Sequence, residues 1–375
     1  MEIRGEVISE WINNWYLPTV ATAQKSTNPV PEGGSTDVPR DVVLSWQAGP
    51  DAVTHDVYFG DTFADVNAAT RSNPLDVLVS QGQAGTTFDP AGTLEFEKTY
   101  YWRVDEVNGA PDNTIFKGDV WSFTTEPFSY AVQNIVATTS NGALLEGQGP
   151  ENTVNGSGLN ADGEHSTESD AMWLALPGEG EITWIQYEFD RVYKLHEMLV
   201  WNYNVQFELI LGFGAKDVTV EYSENGTEWT VLSDVELNQG TAKPTYAANT
   251  TVDFAGAAAK FVRLTVNSGY GALPQYGLSE VRFMYVPVEA REPQPEDGAV
   301  DVSVDSTLTW RAGRDAISHE VYLGTDAEAL SLVDDVDATS YVPAELNLDT
   351  AYYWQVNAVQ ETESWASPVW SFTTQ

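Results

Sequence analysis

Short runs in which apolar and polar residues alternate recur along most of the chain. Leu44-Ser-Trp46, Val57-Tyr-Phe59, Tyr100 to Val104, Thr183 to Phe189, Leu195 to Trp201, Asp217 to Tyr222, Thr251 to Phe254, Lys260 to Val266 and Leu278 to Val286 are rich in β-branched and aromatic residues and bounded by Gly, Pro, Asn and Asp. A period of two with such punctuation predicts strands, so the chain is expected to be all-β. Asn225-Gly226, between Tyr222 and Trp229, predicts a tight hairpin turn with both residues at positive φ. The exception is the N-terminal segment, residues 1–27. There Ile3, Val7, Ile8, Trp11, Ile12 and Trp15 have helical spacing, while Glu6, Glu10, Asn13 and Asn14 interrupt the apolar run that a signal peptide needs before Ala21-Thr22-Ala23. A short amphipathic helix, or the tail of a preceding module, is the expectation.

A repeat organises the rest. Pro29-Val-Pro31 to Asp37-Val38 and Leu44-Ser-Trp46 recur 264 residues later as Pro293-Gln-Pro295 to Asp301-Val302 and Leu308-Thr-Trp310. The same offset carries His55 to Gly60 onto His319 to Gly324, whereas Tyr100-Tyr-Trp102 reappears as Tyr352-Tyr-Trp354 at an offset of 252. The first copy therefore holds about 12 extra residues, and Arg71 to Gly85 reads as the loop that accommodates them. Each copy, with a Trp in an early strand and a Tyr-rich late strand, is expected to be a β-sandwich. The strings around Trp46, Tyr58 and Tyr100 to Asn108, and their counterparts in the second copy, resemble fibronectin type III-like domains, which implies a spacer or adhesive role. His55 and His319 share one repeat position but have no second His or carboxylate cluster at ligand spacing, so they read as strand-edge histidines rather than metal ligands.

Charge removes several function classes. The chain carries 56 acidic and 17 basic side chains, a net charge of −39, spread as −12, −13 and −14 over residues 1–127, 128–286 and 287–375. Every module repels phosphate, so nucleic acid and anionic membranes are not expected as partners. With 13 Trp, 17 Tyr and 14 Phe the chain has enough apolar surface to fold. No cysteine is present, which removes disulfides, thiolate metal sites and a Cys nucleophile, and no apolar run is long enough for a membrane span. No catalytic motif stands out: a Gly-x-Ser-x-Gly elbow, a phosphate-binding Gly-Lys loop and a His-Glu-x-x-His helix are all missing. The protein is not expected to be an enzyme.

Residues 128–287 match neither repeat. Glu151 to Gly156, Met172-Trp173, Trp184 to Phe189, Val220 to Trp229, Ala259 to Leu264 and Gly277 to Arg282 together resemble the discoidin, or coagulation factor type C, family, which includes the family 32 carbohydrate-binding modules. The resemblance implies a jelly-roll sandwich and so an architecture of three β-sandwich domains at 28–127, 128–287 and 288–375. It also implies a structural calcium site at Asn155, Asn160, Asp162, Ser166, Thr167 and Glu280, a hard-oxygen set of the kind Ca²⁺ takes. Asn155 stands where the family commonly has Asp, which lowers the charge of that set. Finally it implies a sugar site in the loops, where an aromatic face stacks on the pyranose and amides bond its hydroxyls. Trp201, Asn202, Tyr203 and Asn204 are the densest such group, with Tyr270, Gln275, Tyr276 and His165 as further candidates. The expected function is a non-catalytic extracellular carbohydrate-binding or adhesion fragment that takes a neutral glycan. The alternative is an assembly subunit of an extracellular polymer or surface layer, self-associating through its N-terminal segment.

Overall fold

The structure, a computed structural model, describes residues 24–111 and 113–375. The expected amphipathic segment lies outside the described residues, and Thr27 already opens a strand, Thr27–Val30. The chain divides after Phe128 into two compact units. Strands dominate both, as the alternating pattern predicts.

In the first unit, a three-stranded sheet of Thr27–Val30, Leu44–Gln47 and Thr87–Phe88 faces a six-stranded sheet centred on Ala52–Gly60 and Thr99–Asn108. Residues 291–374 repeat this strand order. The two copies bury corresponding cores, around Trp46 and Trp102 in one and Trp310 and Trp354 in the other. In both, a Tyr hydroxyl accepts a backbone N–H five residues upstream, Glu95 to Tyr100 at 3.2 Å and Asn347 to Tyr352 at 2.9 Å. Such a tyrosine corner ties a late strand to the loop before it.

Two expectations about the repeats need correction. The histidines do not lie at a strand edge. Their strands are paired on both sides, and each ring sits edge-on to the core Trp, His55 at 5.5 Å from Trp46 and His319 at 5.4 Å from Trp310. The first copy's extra residues are also not a plain loop over Arg71–Gly85. They build the helix Phe63–Ala68 and the turns after it, while Leu78–Gln83 is a strand that pairs with Ala52–Gly60. The fully buried Arg103 explains why this segment folds onto the sheet. Its guanidinium donates to the carbonyls of Val66, Asn67 and Ala69 at the helix end and, in a fork, to both oxygens of Asp105. Beside it Arg71 forks onto the buried Asp56. The second copy has Gln355 and Asn357 in place of Arg103 and Asp105, and its connection is shorter.

Burial lowers the pKa of His319 below its ordinary 6.5. A depressed pKa means that the neutral ring's contribution is complete above 6.5 and is lost as the pH falls from there toward the folded-state value. Acidification from pH 7 to 5 is thus expected to destabilise the C-terminal repeat, by at most about 1.4 kcal/mol per pH unit. His319→Phe should flatten that slope in chemical unfolding. An unchanged slope would assign the acid sensitivity to other groups.

The second unit opens with a nine-stranded assembly around one core. The two runs expected at Thr183–Phe189 and Leu195–Trp201 form one long bulged strand, Thr183–Asn202, which pairs in turn with Val136–Thr139, Ala258–Val266, Tyr276–Val286 and Thr250–Asp253. Ile185, Tyr187, Leu195, Met198 and Val200 face inward along it. The hairpin at Asn225-Gly226 is wider than expected. Only Gly226 takes positive φ, at 74°, because the Asn225 side-chain oxygen accepts the N–H groups of Thr227 and Glu228 and opens the turn to residues 224–229.

The core of the second repeat adjoins this assembly at a tight seam. Arg314 N–H donates to the Pro287 carbonyl, while inside the repeat Gly313 lies so close to the Val288 carbonyl that a Cβ there would come within 1.9 Å of it, just as Gly49 crowds the Gln24 carbonyl in the first copy. Across the same seam Lys194 pairs with Glu363 at 2.7 Å.

Candidate functional site

The carbohydrate candidates separate into a buried scaffold and a partly exposed rim. Trp201, Asn202, Tyr203, Asn204 and His165 are all buried, none more than 4% exposed. The stacking role expected of Trp201 and Tyr203 is therefore corrected, because an enclosed ring has no face to offer a sugar. The Trp201 indole N–H instead donates to the Gly163 carbonyl at 3.0 Å, and Arg282 lies over its ring.

The two asparagines hold the loops together. The Asn202 amide donates to the carbonyls of Ala215 and Asn238, and its oxygen accepts the Tyr203 N–H. The Asn204 amide donates to Ser166 and Lys243, and its oxygen accepts the Ala242 N–H. Tyr246 closes the frame, accepting from Asn202 N–H and donating to Asn249. Carboxamides spent on backbone in this way fix loop geometry and leave nothing for a ligand. His165 packs against Gly158, where a Cβ would come within 2.1 Å of its ring, and burial lowers its pKa.

Tyr270, Gln275 and Tyr276 remain partly exposed on this frame. The Tyr270 hydroxyl donates to the Leu237 carbonyl at 2.7 Å, and Lys216 stands 5.9 Å from its ring centre. Tyr276 packs on the core and against Gly269. The backbone beside Tyr270 is pinned by the Gly271 N–H to Gly212 carbonyl bond at 2.7 Å.

That bond joins the Tyr270 loop to a feature sequence reasoning passed over. Phe207, Leu209, Ile210, Leu211 and Leu273 are exposed by 61, 65, 84, 38 and 57%. The segment presenting most of them is rigid, since the fully buried Glu208 carboxylate accepts the N–H groups of Phe213 and Gly214 and an amide proton of Gln239. The signal was the run Phe207-Glu-Leu-Ile-Leu211 bounded by Gly212, too short for a core helix and not alternating as a strand would.

The presumed ion ligands fall into two groups. Glu280, in the last strand and 4% exposed, accepts the Gly156 N–H at 3.3 Å, which places it beside Asn155. Burial pushes its pKa up to about 7, against the opposing pull of the Gly156 N–H and of the Arg282 charge. The Asn155 oxygen accepts the Ser157 N–H. Asn160 and Asp162 lie in a separate exposed turn, where the Asn160 oxygen caps the N–H groups of Asp162 and Glu164. Ser166 and Thr167 are half-buried, and the Ser166 hydroxyl accepts from Glu168. Among the described residues no group of three His, Asp or Glu side chains gathers as a metal cluster. Of the six expected ligands only Glu280 and Asn155 come together, and the Asn155 oxygen is engaged by the Ser157 N–H. The Asn160–Asp162 turn has already spent its side-chain oxygen.

Residues 135–278 match the family model of the F5/8 type C domain. No curated protein matches the sequence. Solved structures that resemble this chain include the second family 32 carbohydrate-binding module of a family 31 glycoside hydrolase, bound to GalNAc, at 14% identity over 41% of this chain and 98% of that one, with a TM-score of 0.31. A third module from a family 31 glycoside hydrolase of Clostridium perfringens shares 15% identity over 42% and 95%, with a TM-score of 0.32. The F5/8 type C domain of a Bacteroides fragilis protein shares 14% over 42% and 97%, with a TM-score of 0.30. No helix among the described residues is long and apolar enough to cross a membrane.

Proposed function

We propose that the F5/8 type C domain is a carbohydrate-binding module, carried between two fibronectin type III-like spacers in an extracellular, non-catalytic fragment. The family match over residues 135–278 carries the reading. Support comes from the rim, where Tyr270 and Gln275 are partly exposed on a loop frame that Asn202 and Asn204 hold rigid. A preorganised aromatic with an adjacent amide, Gln275, is the chemistry that sorts a pyranose from water. The acidic coat favours a neutral glycan over a sulfated one. A calcium ion on Glu280 and Asn155 stabilises the loops rather than touching the sugar.

A glycan array probed with the full chain in calcium tests this. Binding to neutral glycans is expected; Tyr270→Ala should abolish it, whereas Tyr270→Phe, which loses only the hydroxyl bond to Leu237, should retain it. Absence of any glycan signal would overturn the reading. The exposed set of Phe207, Leu209, Ile210 and Leu273 favours a second reading, an assembly subunit that buries this tip on a neighbour. Oligomers in light scattering that Ile210→Asp dissolves, together with a blank array, would select it.

A further inference from the structure

A second concave site lies far from the rim. The last strand of the central module, Tyr276–Val286, runs from the Tyr270 loop at one end to the seam at the other, a span of about 33 Å at ~3.3 Å per residue. At the seam end a cavity of about 130 Å³ opens between the central module and the C-terminal repeat. Arg191, Tyr193 and Tyr285 line it from one side, and Glu289, Arg291 and Trp370 from the other.

Three properties of this cavity point to a ligand. First, it concentrates positive charge in an acidic protein. Arg191, Lys194 and Arg291, three of the chain's 17 basic residues, line it with the carboxylates Glu289 and Glu292, and Glu363 pairs with Lys194 from outside the lining. Burial pushes the pKa of Glu289 up to about 7, so its charge is only partial near neutrality. Second, it offers rings as well as charges. Tyr193 and Tyr285 pack at 4.6 Å between centroids, and the Arg191 guanidinium lies 4.9 Å over Tyr193, 3.3 Å from Glu289. Third, its volume is below the roughly 300–1,000 Å³ that takes drug-sized ligands. The enclosed space thus fits one small unit.

We propose that this seam pocket binds a single carboxylate-bearing sugar unit, a uronic acid, with its carboxylate on Arg191 and its ring against Tyr193 and Tyr285. An arginine fork matches a carboxylate in geometry and charge, and Glu289 accepts from the hydroxyls. Because the lining comes from two modules, the ligand also joins them. The site is separate from the neutral-glycan rim, and the two readings stand or fall independently.

The test is titration calorimetry on the full chain with galacturonate, galactose and acetate. Galacturonate is expected to bind, galactose and acetate at least about tenfold more weakly. Arg191→Gln should weaken galacturonate by about tenfold or more, the loss of one charge-assisted contact. Tyr285→Phe keeps the ring and serves as the variant least able to disturb folding. It should hold galacturonate within about twofold of the native chain and leave array binding at the rim unchanged. Equal affinity for galactose would overturn the carboxylate, and equal affinity for acetate would overturn the sugar. Galacturonate binding untouched by Arg191→Gln in a variant with unaltered unfolding temperature would overturn the site.

Discussion

Arg103→Ala is expected to destabilise the N-terminal repeat by roughly 3–5 kcal/mol, the cost of breaking a buried ion pair by removing one partner. The substitution leaves the Asp105 carboxylate buried with only the Gly118 N–H at 3.0 Å and strips donors from three carbonyls at the end of the helix Phe63–Ala68. It also removes a guanidinium stacked 4.1 Å over Tyr58. The counterpart Gln355→Ala should cost about 1 kcal/mol, since Gln355 makes one neutral bond, to the Ser367 carbonyl at 2.7 Å. Urea unfolding followed by tryptophan fluorescence compares the two. Limited proteolysis should also show cleavage moving into residues 63–77 in Arg103→Ala alone. Equal midpoint shifts for the two variants would contradict the account of why the first repeat carries its insertion.

Calcium is expected to raise the unfolding temperature of the second unit. An ion at a hundredfold excess over its Kd adds about 2.7 kcal/mol, which for a module of this size is about 5–10 °C. Glu280→Gln is the discriminating variant. Without calcium it should be neutral or slightly stabilising, because the amide relieves a carboxylate that burial disfavours. With calcium it should lose the whole increment. Asp162→Asn, in the exposed turn, should keep it. A calcium response that survives Glu280→Gln, or no response in the native chain, would leave the corner without an ion.

Strand periodicity made the all-β architecture legible, and the repeat offsets located the two matching sandwiches before any contact was seen. The site was less legible. A string such as Trp201-Asn-Tyr-Asn204 looks the same whether its side chains face solvent or the underside of loops. Long-range closure decides it, since Asn204 bonds to Ser166 and to Lys243, each nearly 40 residues away. Glu208 was hidden for the same reason: only a buried carboxylate reaching Phe213 and Gly214 turns an apolar run outward. His55 and His319 were misplaced because alternation reports which face a residue takes and not how many strands flank its own.

The bond from the Arg314 N–H to the Pro287 carbonyl has a mechanical consequence. It ties the chain just past the last strand of the central module to the repeat that follows, and Lys194 with Glu363 pins the same seam at a second point. With two fixings the joint has little freedom to swing, so a load on either module passes to the other through bonded contacts rather than being absorbed in a hinge.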